Sequence, residues 1–202
     1  MSYLNIEDFI FNSRSFIIVD VRSPTEYDHA HMPNAINIPL FSDIERSEIG
    51  TLYKKNSKKA AIKKGLEYYS VKMRAMIEQL ENLYASLFLD VDEDPVFIYC
   101  WRGGMRSGAV SWLFDLYGFE VYTLTGGYKA YRNWVIQQFG LSYNLKIIAG
   151  NTGVGKTKYL SELCAKGMKV IDLERLASHK GSAFGSINMP PQPTQEMFEN
   201  MM

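Results

Sequence analysis

Pro95-Val-Phe-Ile-Tyr99 runs directly into Cys100-Trp-Arg-Gly-Gly-Met-Arg-Ser107, and an amphipathic segment over residues 108–117 follows. A short apolar run, a glycine-bearing loop and a helical stretch read as strand, turn and helix. That order aims several backbone N–H groups and a helix N-terminus at one point. A thiol held there is pushed toward thiolate, and two loop arginines push it further. The spacing Cys-x-x-Gly-x-x-Arg-Ser therefore predicts Cys100 as a catalytic nucleophile. Arg102, Gly103, Gly104, Arg106 and Ser107 form its anion cradle. Two chemistries fit these residues. The thiolate attacks sulfur or selenium of an activated donor and holds it as a persulfide or selenosulfide. Or it attacks phosphorus, with Arg106 gripping the phosphoryl oxygens bidentately.

Outward from this loop, short buried strands are predicted over residues 16–20, 34–39, 95–99 and 120–124. Helical patterns fall between them, over 6–12, roughly 58–86, 107–117 and 128–139. This alternation predicts an α/β fold, a mostly parallel sheet with helices on both faces. A first domain closes near Gly140, giving residues 1–140. A second unit, 141–202, opens with a predicted strand over 145–149.

The chain has 202 residues, 47% of them hydrophobic, enough for a substantial core. Lysine plus arginine equals aspartate plus glutamate at 22 each, so no global charge points to nucleic acid or a membrane surface. Residues 1–11 lack a secretory pattern, and no apolar stretch approaches a membrane span. The two cysteines, Cys100 and Cys164, form neither a disulfide framework nor a metal-ligand spacing. Cys164, in Leu-Cys-Ala, reads as a small buried hydrophobe. A cytoplasmic, reducing location follows. Charge is uneven locally: residues 47–75 carry seven lysines and one arginine against Glu48 and Glu67. A solvated helix face explains this most simply, and a phosphate-backbone footprint is the functional alternative.

Asp20-Val-Arg22-Ser-Pro-Thr-Glu26-Tyr27 reads as an ion-pair lattice bracing the loops. His29 and His31 do not have the company a metal site needs. Together with His31-Met-Pro33, Asn34-Ala-Ile-Asn-Ile-Pro39, the Cys100 loop and Leu124-Thr-Gly-Gly127, this set resembles a rhodanese domain over residues 1 to about 140. The resemblance implies a loop cysteine that carries a transferred chalcogen. The loop has five residues between Cys100 and Arg106, a length shared with phosphatase relatives of that fold, so a cysteine phosphatase stays open.

Gly150-Asn-Thr-Gly-Val-Gly155-Lys156-Thr157 follows the predicted 145–149 strand and precedes a helical stretch over 158–166. This is G-x-x-x-x-G-K-[ST] in strand-to-helix context. Gly150, Asn151, Thr152, Gly153, Val154 and Gly155 wrap a diphosphate, Lys156 neutralises its charge, and Thr157 reaches Mg²⁺.

The pairing of Tyr99-Cys-Trp-Arg-Gly-Gly-Met-Arg-Ser107 with this P-loop resembles the tRNA 2-selenouridine synthase family across the whole chain. Val170-Ile-Asp-Leu-Glu174, Ser178-His-Lys-Gly-Ser-Ala-Phe-Gly185 and Gln192-Pro-Thr-Gln195 add to the likeness. The resemblance implies replacement of sulfur by selenium in wobble 2-thiouridine of tRNA. It implies selenophosphate and geranyl diphosphate as substrates, no tightly bound cofactor, and a selenophosphate-supplying enzyme as partner. Cys100 would carry the selenium and Gly150 through Thr157 the diphosphate. Asp172 and Glu174, at the end of a strand predicted over 168–173, would assist Mg²⁺ or the leaving group.

That family continues past residue 202. The chain therefore reads as cut short, with residues 145–202 expected to be incompletely packed. A rhodanese-fold sulfurtransferase or phosphatase acting through Cys100 is the alternative. An inactive fragment that retains phosphate or RNA binding is a third reading.

Overall fold

Five short strands carry the first compact unit of the molecule, Met1–Trp134; the second unit is Val135–Met202. The structure is a computed structural model describing residues 1–151, 153–182 and 184–202. In chain order the first unit contains β1 (Ser2–Leu4), α1 (Ile6–Asn12), β2 (Ile17–Asp20), α2 (Pro24–His29) and β3 (Ile36–Asn37). It continues with α3 (Asp43–Lys55), α4 (Lys58–Ser70), α5 (Met73–Leu87), β4 (Val96–Tyr99), α6 (Met105–Tyr117) and β5 (Val121–Leu124), and α7 (Gly127–Gln138) follows. The sheet is wholly parallel in the order β1-β5-β4-β2-β3.

β2 and β4 are buried at every residue, as a parallel sheet covered on both faces requires. Side-chain alternation sorts them between two layers. Ile17, Val19, Val96, Ile98 and Cys100 face a core built with Met76, Leu80 and Tyr84 of α5 and Val110, Leu113 and Phe114 of α6. On the opposite face Phe97 meets Phe9 edge-on at 5.3 Å, and Tyr99 stacks with Tyr128 at 6.2 Å. Cys100 thus emerges from the central strand on the α6 side.

Several expectations need correction. The helix expected over 58–86 is two helices, parted after Ser70, where the Lys72 amide bonds the Tyr69 carbonyl at 2.9 Å. No glycine or proline marks that break. The strand expected over 34–39 shrinks to Ile36–Asn37, and β1 and α3 have no counterpart among the expected elements. Among the described residues, neither 145–149 nor 168–173 forms a strand. An extended segment becomes a strand only when a neighbour accepts its amides. Here all five strands pair within the first unit, and Leu145 and Ile147 stand 66% and 89% exposed.

The second unit holds α8 (Lys156–Ala165), α9 (Leu173–Leu176) and α10 (Gln195–Met201). Past residue 135, the buried positions among those described are Gly185 and Asn200. Cys164 is exposed, not buried, because no residue of α8 is buried. No helix among the described residues is long and apolar enough to cross a membrane.

Candidate active site

Cys100 follows β4 directly and is 3% exposed, at the bottom of the loop that leads into α6. The helix starts at Met105, earlier than residue 107 or 108, which places Arg106 and Ser107 in its first turn. Amide groups there have no intrahelical acceptor and stay available to an anion. The Ser107 hydroxyl, fully buried, lies 3.2 Å from Cys100 Sγ and 3.2 Å from the Gly104 carbonyl. Burial pushes the Cys100 thiol up. The Ser107 hydroxyl and amide, the Arg106 charge and the Arg102 amide outweigh it and hold the thiol below its ordinary range.

Arg106 grips Glu26 of α2 with both terminal nitrogens, at 2.5 and 3.2 Å. Glu26 also accepts the Ser23 amide at 3.1 Å and lies 3.8 Å from Arg46 Nε. Burial raises the Glu26 carboxyl, but the Arg106 hydrogen bonds and charge, with Ser23 and Arg46, bring it below its usual range. Two arginines therefore share one carboxylate beside the thiol. Arg46 Nε is buried with no hydrogen-bond partner. Arg102 is exposed at the mouth of the loop.

Gly103 and Gly127 have positive φ, +62° and +59°, and press against one another. A Cβ on Gly127 would lie 2.3 Å from the Cys100 carbonyl, and one on Gly103 would lie 2.4 Å from the Leu124 carbonyl. Only glycine permits this approach. The first amides of α7 complete the brace: Tyr128 N–H bonds the Cys100 carbonyl at 2.8 Å and Lys129 N–H bonds that of Trp101 at 3.0 Å.

The lattice read from Asp20 and Arg22 is present. The Arg22 Nη2 bonds Asp20 at 2.6 Å and the Ala30 carbonyl at 2.7 Å, and the guanidinium lies 3.9 Å from the Tyr128 ring centroid. Glu26 does not belong to that lattice; it crosses to the cysteine loop. His31 stacks on Tyr27 at 3.8 Å, with Nδ1 2.9 Å from the Tyr27 carbonyl.

A cleft of about 880 Å³ opens over Cys100. Arg46, Ile49, Gly50 and Tyr53 line it from α3, at the spacing of one helix face. Ile62 and Leu66 of α4 line it as well. Sequence reasoning missed Arg46, although the stripe it begins is the signal that could have found it.

In the second unit the P-loop turns into α8 at Lys156, with Gly153 and Gly155 at φ of +86° and +87°. Lys156 Nζ bonds the carbonyls of Gly150 and Asn151 at 2.9 and 3.0 Å, closing the loop around its own ammonium. Val154 and Thr157 are exposed, and Thr152 lies outside the described residues. Asp172 caps α9 by accepting the Arg175 amide at 3.1 Å, and Glu174 opens that helix; neither ends a strand.

Residues 7–133 match the rhodanese-like domain family. The chain belongs to the rhodanese-like family. Residues 143–202 of this rhodanese-like chain match the tRNA 2-selenouridine synthase AAA domain. It is 43% identical over 187 residues to a protein of Bdellovibrio bacteriovorus named tRNA 2-selenouridine synthase, covering 91% of this chain and 47% of that one. A protein of the same name from Shewanella denitrificans is 38% identical over 190 residues, covering 92% and 48%. The likeness to that family read from the sequence is therefore borne out. The chain spans about half the length of these relatives. Among solved structures, the N-terminal domain of a Clostridium difficile 630 protein titled as ATP/GTP-binding is 45% identical, with a TM-score of 0.58. It covers 66% of this chain and 98% of that one.

Proposed function

We propose that the chain is part of an enzyme that replaces sulfur by selenium in wobble 2-thiouridine of tRNA, with selenophosphate as donor and Cys100 as selenium carrier. The observation that carries this reading is the lowered Cys100 thiol inside a cradle of amides and arginine. A tetrahedral selenophosphate has the charge and shape such a cradle accepts. The names of the relatives supply selenium and tRNA.

Electron accounting separates two routes for the thiolate. If it attacks selenium, an S–Se bond forms, the Se–P bond breaks, and its electron pair leaves on phosphorus as phosphite. If it attacks phosphorus, hydrogen selenide departs, and water later releases phosphate from S-phosphocysteine. The first makes Cys100 the selenium carrier. The second leaves phosphate instead of selenium on Cys100, and it is the competing route that a loop of phosphatase-like length also accommodates.

The apolar walls of the cleft, Ile49, Ile62 and Leu66, support a prenyl group on the substrate sulfur, and hence a geranylated intermediate. In this reading Gly150, Asn151, Thr152, Gly153, Val154, Gly155, Lys156 and Thr157 grip the diphosphate of geranyl diphosphate. Mg²⁺ fits only as a companion of that diphosphate. The Thr157 hydroxyl is the protein group of the loop that would reach it, with Asp172 and Glu174 as the carboxylates that would assist. A cytoplasmic location and a selenophosphate-supplying partner complete the proposal.

Incubation with selenophosphate and S-geranylated tRNA, followed by nucleoside mass spectrometry, tests it. Formation of 2-selenouridine that depends on Cys100 supports the reading. Release of phosphate from a simple aryl phosphate without any tRNA product would favour the phosphatase.

A further inference from the structure

The turn from α3 into α4 lies at one end of the Cys100 cleft and concentrates exposed positive charge. Lys54 and Lys55 close α3, Lys58 and Lys59 open α4, and Lys63 follows one turn later, all exposed. The lysine ion pairs of this unit are made by others: Lys64 pairs with Glu67 at 3.1 Å and Glu48 at 3.8 Å, and Lys72 pairs with Glu45.

Two details set this turn apart from an ordinary solvated helix face. The first turn of α4 contains Lys58 and Lys59 and no acid. Cations there oppose the positive end of the helix dipole, so the charge sits where helix stability alone disfavours it. Two of the three acids of α3, Asp43 and Glu45, lie in its first turn, away from the lysines, and the third, Glu48, is engaged by Lys64 and Tyr68. Second, the turn is continuous with the cleft. Lys54 lines the cleft, and Lys58 precedes the cleft residue Ile62 by four positions, so one helix face joins them. The cleft lining includes Arg46, Lys54, Arg102 and Arg106 and no aspartate or glutamate.

We propose that this turn is an RNA-docking ridge, on which Lys54, Lys55, Lys58, Lys59 and Lys63 take successive phosphates and lead the substrate nucleoside into the Cys100 cleft. The inference rests on the tRNA reading above and gives that partner a place on this chain. The charges spread along a two-helix turn and do not converge on one point, which suits a polyanion better than a single phosphate. Lysines on flexible stems position a nucleic-acid backbone without reading its sequence. Recognition of the base is then left to the cleft.

The test is a fluorescence-polarisation titration of unmodified tRNA onto the 202-residue chain across a range of salt concentrations. It compares the unsubstituted chain with a variant carrying Lys55→Gln, Lys58→Gln, Lys59→Gln and Lys63→Gln. Each lost phosphate contact removes about 0.7–0.9 from the slope of log affinity against log salt. The variant is expected to bind at least about tenfold more weakly at low salt and with a slope shallower by about 3. Its unfolding temperature verifies that it folds. Hydrogen exchange of the unsubstituted chain supplies an independent readout, with slowing over residues 54–63 expected on adding tRNA. Unchanged affinity and slope in a folded variant, or no protection over 54–63, overturns the ridge while leaving the tRNA reading intact. An unsubstituted chain that binds no tRNA at any salt overturns both.

Discussion

Arg106 holds Glu26 across eighty residues of sequence, with both terminal nitrogens on the carboxylate and Arg46 Nε 3.8 Å away. This ties the first turn of α6, which carries the cysteine cradle, to α2 on a separate stretch of chain. One carboxylate between two guanidinium groups leaves a net positive charge beside Cys100, fit to receive an anion. Glu26 therefore sets both the position and the charge of the site.

Replacing Glu26 by Gln removes the negative charge and one of the two acceptor oxygens from a partly buried pair and is expected to cost about 1–3 kcal/mol at neutral pH, between the exposed and buried limits. The pH dependence has a definite sign. The folded Glu26 carboxyl is depressed from 4.5, so its contribution is full above that value and is lost as pH falls through the lower folded value. Urea unfolding of both proteins should give a clear stability gap at pH 7 that closes in strong acid. A gap independent of pH contradicts the pairing.

The Ser107 hydroxyl stabilises the thiolate directly. A hydrogen bond to a charged group is worth about 1.5–3 kcal/mol, and each 1.36 kcal/mol is one pKa unit. In a Cys164→Ser background, where alkylation reports Cys100 alone, Ser107→Ala should move the midpoint of iodoacetamide reactivity up by about 1–2 units. Rates should fall at neutral pH and converge at high pH. An unmoved midpoint removes Ser107 from the account.

The glycines of the cradle divide by their surroundings. Gly127→Ala places a Cβ 2.3 Å from the Cys100 carbonyl at a φ of +59°, and should cost about 3 kcal/mol or more. Gly104 has φ of −107° and no atom within 4 Å of the point where a Cβ would stand, so Gly104→Ala should change stability by less than about 1 kcal/mol. Thermal unfolding of the two variants checks the contrast, and equal losses would contradict it.

Much of the first unit was legible because its signals are local. Short apolar runs bounded by loops placed β2, β4 and β5, and the Cys-x-x-Gly-x-x-Arg-Ser spacing placed the cradle. Partners distant in sequence were not legible. Nothing beside Glu26 names Arg106, and nothing beside Arg46 says that α3 folds over the thiol. The strand expected over 145–149 failed for a related reason, since an apolar run of five residues carries no information about whether a neighbouring strand exists. The P-loop was legible as a turn into a helix because glycines and lysine act within eight residues of one another.

Lys156 supplies the cation of that loop. With inorganic pyrophosphate as ligand, Lys156→Gln should weaken binding about tenfold to a hundredfold, the equivalent of one charge-assisted hydrogen bond of about 1.5–3 kcal/mol. Isothermal titration calorimetry on the whole chain reads this directly. Equal affinity in the two proteins would deny the loop its proposed role.

The most direct test of the central claim, that Cys100 takes selenium from the donor, is intact-protein and peptide mass spectrometry after incubation with selenophosphate. The account predicts a single adduct bearing the selenium isotope pattern on Cys100, absent from Cys100→Ser, with phosphite released in equal amount. A chain that stays unmodified, or selenium found equally on Cys100→Ser, would contradict it.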